Sequence, residues 1–141
     1  MTNTTIRWRW VIPTFFLLEL VLISAAVGWV AFYSYVLHAG QPDAYYEGYA
    51  TAASPIVSLV AGAPLFFVVG DRFRRWLGAD AVKSAIAVSA IYTTLDVLLV
   101  VTWPAATMYH VLVMLVNATA KLAAIYLGAR GRRSGALAVA S

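Results

Sequence analysis

The stretch Val11–Leu37, VIPTFFLLELVLISAAVGWVAFYSYVL, holds a single charge, Glu19. A helix needs about 20 residues to cross the hydrocarbon core of a bilayer, and this run exceeds that. Arg7 and Arg9 ahead of it and the small residues Ser24, Ala25 and Ala26 within it also suit a secretory leader. The apolar run continues past any such cleavage site, however, and that length suits an anchor.

The rest of the chain is similar in character. Hydrophobic residues make up 62% and charged residues 11% of the 141 residues, against about 45–50% and about 25% in a soluble domain. Lipid is therefore the expected solvent, and the fold class predicted is an all-α membrane protein, a four-transmembrane-helix bundle. The expected spans are about 11–37, 48–70, 81–103 and 107–128, forming one domain over 1–128. Pro55 and Pro64 each remove a backbone donor from the second span, a loss that neighbouring groups must offset. His38–Glu47 reads as a polar loop, Asp71–Asp80 as a tight basic turn, and 129–141 as a basic, mobile tail.

Charge sets the orientation. Arg7 and Arg9, then Arg72, Arg74 and Arg75, then Arg130, Arg132 and Arg133 all fall at one side of these spans, with Lys83 at the same end of span three. The opposite loops carry only Asp43 and Glu47. The positive-inside rule then puts both termini in the cytoplasm, and a bacterial inner membrane is the expected location. The net charge of +4 is a topology signal, so no nucleic acid is expected as a partner. Trp8, Trp10 and Trp76 on one side, and Tyr45, Tyr46, Tyr49 and Trp103 on the other, fit interfacial belts. Cysteine is absent, which excludes disulfides and thiolate chemistry.

Three ionisable side chains fall inside the spans: Glu19, Asp96 and Lys121. Each costs about 2.5–3.5 kcal/mol on insertion scales, so each should face protein or water. Glu19 and Lys121 lie at similar depth, and a balancing pair between spans one and four is expected. At 100° per residue His110, Asn117 and Lys121 share one line of span four, while Ala85, Ser89, Tyr92, Thr93 and Asp96 share a face of span three. Small residues recur four apart at Ser24 and Gly28, Ser58 and Gly62, Ala85 and Ser89, and Ala120, Ala124 and Gly128, a spacing that lets helix backbones approach closely.

Other motifs carry less. His38 and His110 are the only imidazoles, a thin basis for haem ligation, and no cofactor or metal is implied. Gly70-Asp71-Arg72-Phe73-Arg74-Arg75 resembles the cytoplasmic loop motif of major facilitator transporters, but it lacks the glycine between the arginines. The match covers six residues, and nothing is carried over from it. No nucleophile or acid–base set assembles, so the chain does not read as an enzyme. The leading functional expectation is a homo-oligomeric transporter or channel for a small solute or proton, with Glu19, Asp96, His110, Asn117 and Lys121 as pathway residues. The alternatives are a scaffold or accessory subunit of a larger membrane complex, and a lipid-binding or lipid-modifying bundle.

Overall fold

A computed structural model describes residues 5–104 and 107–131. Among these the chain forms four α-helices and no strand: α1 Trp8–Phe32, α2 Asp43–Leu77, α3 Ala81–Thr102 and α4 Met108–Arg130. A π-helical turn, Tyr33–Leu37, extends α1, and a 3₁₀ turn, Gly78–Asp80, joins α2 to α3. Three helical stretches are long and apolar enough to cross a membrane: Trp8–Leu37, Asp43–Thr102 and Met108–Arg130.

The middle stretch is not straight. Phe66 and Tyr92 lie 13 residues on either side of Ala79, yet their rings are 5.3 Å apart. In one continuous helix those positions would be about 39 Å apart. The reversal uses Gly78, whose φ of +55° favours glycine.

Side-chain pairs give the directions of the remaining helices. Trp10 meets Trp76 and Tyr33 meets Tyr49, so α1 and α2 are antiparallel. Arg7 bonds Ser84 and Phe15 meets Tyr92, so α1 and α3 are parallel. Asn117 bonds Pro55 and Lys121 bonds Ser58, while Gly128 faces Phe67 and Asp71, so α2 and α4 are parallel. The chain thus runs up, down, up, down. Thr5 and Gly131, the ends of the described chain, lie at the same end of the bundle, here the terminal end. Residues 132–141, which hold most of the expected mobile tail, lie outside the described residues.

Helix α2 is longer than its expected span. It starts at Asp43, whose acid side chain in the first turn suits the helix dipole, so the expected loop His38–Glu47 is half helical. It also continues through Asp71–Leu77, where a basic turn was expected. Asp71 there pairs with Arg74 at i+3 and with Arg75 at i+4, 2.8 Å away, both favourable spacings on a helix. Only Gly78–Asp80 makes the turn. α4 likewise continues past Gly128 to Arg130.

Burial is inverted relative to a soluble bundle. In α4 the buried residues include Asn117 and Lys121, while Leu112, Leu115, Val116 and Leu127 face outward. Such an exterior suits lipid. The apolar core fills the terminal half, around Phe66, Phe73, Val88, Ala85 and Ile125. There α2 and α4 touch backbone to backbone: a methyl group on Gly70 would strike the Ile125 carbonyl, and one on Gly128 the Phe67 carbonyl.

A polar latch closes the terminal end. The Asp80 carboxylate accepts the Thr5 backbone N–H at 2.8 Å and pairs with Arg7 Nε at 2.6 Å, while the Arg7 backbone N–H donates to Ser84 Oγ. The Thr5 N–H and the Arg7 guanidinium hold the Asp80 carboxyl below its ordinary range. At the far end, Tyr33 stacks on Tyr49 and His38, and its hydroxyl meets that of Tyr45 at 2.8 Å. These rings pin the α1–α2 hairpin.

Candidate functional site

Lys121 is 1% exposed and sits midway along α4, about 14 Å from that helix's terminal end. Its aliphatic stem lies over Gly62, where an added methyl would meet Cε at 2.7 Å. The four-residue step from Ser58 to Gly62 is thus a groove cut for this side chain. Lys121 Nζ donates to Ser58 Oγ at 2.7 Å and lies 4.3 Å from the centre of the Tyr92 ring. Phe66 closes the far flank, with its ring centre 5.9 Å from Nζ.

The expected contact between Glu19 and Lys121 is not made. The ion pairs among the described residues are Arg7–Asp80, Arg74–Asp71 and Arg75–Asp71. Helix α1 packs on α2 and α3, and α4 packs on the same two helices, so Glu19 and Lys121 sit on helices that are not packed neighbours. Glu19 Oε2 is enclosed with no hydrogen-bond partner. A hydroxyl and an aromatic face therefore hold the ammonium at contact distance.

Asp96, His110 and Asn117 converge. Together with Ser58, Pro55, Trp103, Val100, Val113 and Met114 they line one cavity of about 150 Å³ between α2, α3 and α4. It extends from Trp103 and His110 at the far end inward to Ser58, whose hydroxyl oxygen accepts the hydrogen bond from Lys121 Nζ. Asn117 Nδ2 donates to the carbonyls of Pro55 at 3.2 Å and Val113 at 3.3 Å. Pro55 of α2 is thus tied to α4 through its own carbonyl, rather than through the Thr51 carbonyl that the ring deprives of its donor. Asn117 Oδ1 is buried and has no partner. His110 completes a capping box at the start of α4: its Nδ1 accepts the Thr107 backbone N–H at 3.1 Å, and its ring packs edge-on to Trp103.

Of the five expected residues, three share the cavity, Lys121 joins them through Ser58, and Glu19 stands apart on α1. Sequence reasoning missed Ser58, Gly62 and Trp103 as site residues. Ser58 and Gly62 carried a usable signal, since a buried lysine stem needs a small-residue groove opposite it. The two histidines serve separate elements, with His38 stacked on Tyr33 and His110 capping α4. No cluster of three metal-ligating side chains occurs among the described residues. No family model matches the chain, and neither a curated protein nor a solved structure matches it.

Proposed function

We propose that the chain crosses a bacterial inner membrane four times with both termini in the cytoplasm, and that copies of it assemble to move a small solute or a proton. The fold-back at Gly78 supports four crossings, because it divides Asp43–Thr102 into two antiparallel membrane-length helices. The arginines at the terminal end support the orientation.

The observation that carries the transport reading is the convergence of Asp96, His110 and Asn117 on one cavity whose inner wall, Ser58, holds the buried ammonium of Lys121. Ionisable groups inside a membrane are costly and are functional-site candidates for that reason. Asp96, His110 and Asn117 line a cavity between helices of a single chain, so the conduit need not lie on an oligomer seam. Toward the terminal end the way is shut by Phe66, Phe73 and Ile125 and by the contact of Gly70 with Gly128. Passage then requires α2 and α4 to part at these glycines, with the polar half open to the far side at rest.

Flux into proteoliposomes tests this. Asp96→Asn and Lys121→Met should each lower proton or solute flux at least tenfold at equal protein density. Unchanged flux in both variants would remove the transport reading and leave the scaffold alternative, in which the same residues only fix helix register.

A further inference from the structure

The cavity between α2, α3 and α4 has a chemical sign. Asn117 is 6% exposed and spends its amide N–H groups on the carbonyls of Pro55 and Val113, so only its acceptor, Oδ1, is left, buried and unmatched. Asp96 adds a carboxylate to the same wall. The imidazole of His110 accepts the Thr107 amide hydrogen at Nδ1, so that nitrogen offers no donor to the cavity. Lys121 does not line the cavity, and its ammonium is engaged by Ser58 and Tyr92. Asp96 is the acidic side chain among the residues that line the cavity. An unmatched acceptor beside a carboxylate calls for a cation that donates hydrogen bonds.

Size narrows the class. An engineered apolar cavity of about 150 Å³ holds benzene, so this volume admits roughly six heavy atoms. Val100, Val113 and Met114 offer a short hydrocarbon surface, and Trp103 at the mouth offers an aromatic face to a cation.

We propose that this cavity binds a small primary-ammonium cation, its N–H groups donated to the Asp96 carboxylate and to Asn117 Oδ1 and its short alkyl part laid against Val100, Val113 and Met114. The proposal rests on the solute reading above and names the substrate class for it.

The test is calorimetric titration of the full chain in lipid nanodiscs with ethylammonium, tetramethylammonium and acetate at one ionic strength. Ethylammonium should bind saturably. Tetramethylammonium, a cation without N–H donors, should bind at least tenfold more weakly, and acetate should not bind. Asp96→Asn should weaken ethylammonium binding at least tenfold. Equal binding of tetramethylammonium, binding of acetate, or no saturable ethylammonium binding overturns the proposal, and these three readings need no variant. The proposal and the transport reading fail separately. Ethylammonium binding together with Asp96-independent flux would end the transport reading and keep the site. Asp96-dependent proton flux without amine binding would end the ammonium proposal and leave a proton as the cargo.

Discussion

Lys121→Met is the substitution in which stability and function should part. The ammonium is stabilised by one charge-assisted hydrogen bond to Ser58, worth about 1.5–3 kcal/mol. A desolvated cation–π contact with Tyr92 adds about 2 kcal/mol. Against these stands the cost of a lysine in mid-membrane, about 2.5–3.5 kcal/mol on insertion scales. The ammonium's net contribution is then between about 0 and 2.5 kcal/mol. Methionine keeps most of the stem over Gly62, so Lys121→Met should cost no more than about 2.5 kcal/mol. Ser58→Ala should cost about 2 kcal/mol, because it strands a buried donor. In the Lys121→Met background the same serine change should cost less than about 0.5 kcal/mol, a coupling that a double-mutant cycle isolates. The assay is reversible unfolding in mixed detergent micelles, followed by tryptophan fluorescence. A loss of more than about 4 kcal/mol for Lys121→Met would refute the argument, since the ammonium would then hold the fold together and its burial would need no functional explanation.

Further outcomes follow from the same geometry. Gly128→Leu should push α4 off α2 and destabilise the bundle by at least about 2 kcal/mol, whereas Gly48→Leu, with open space around it, should change stability by less than about 0.5 kcal/mol in the same assay. The Asp80 latch should fail in acid. A carboxyl whose folded pKa is lowered contributes fully above its unfolded value, about 3.9, and its contribution vanishes as pH falls through the folded value below that. The protection factors of the Thr5 and Arg7 amides, taken against the intrinsic exchange rate at each pH, should therefore fall below that pH, and in Asp80→Asn they should already be reduced at pH 7. The chain has no cysteine, so single replacements at exposed alanines report topology directly: Ala39→Cys should react with an impermeant maleimide from outside intact cells, and Ala79→Cys only after permeabilisation. The reverse pattern would invert the orientation.

What the sequence determined by itself is one-dimensional: the apolar runs, the one-sided arginines, and the depths of Glu19, Asp96 and Lys121 along their helices. Hydropathy and charge asymmetry act residue by residue, and helical rise converts position into depth, so neither needs a neighbour. The continuation of α2 to Leu77 was also legible, since Asp71, Arg74 and Arg75 stand at helical spacing. What only the tertiary structure decided is azimuth and crossing. Glu19 and Lys121 share a level, yet the close approach of α2 to α4 at Gly70 and Gly128 carries the lysine stem into the groove at Gly62 and delivers its ammonium to Ser58. The same approach brings Asn117 to Pro55 and sets Asp96 and His110 around one cavity. Which faces meet depends on the summed fit of side chains along two helices, and small residues decide it by what they leave out.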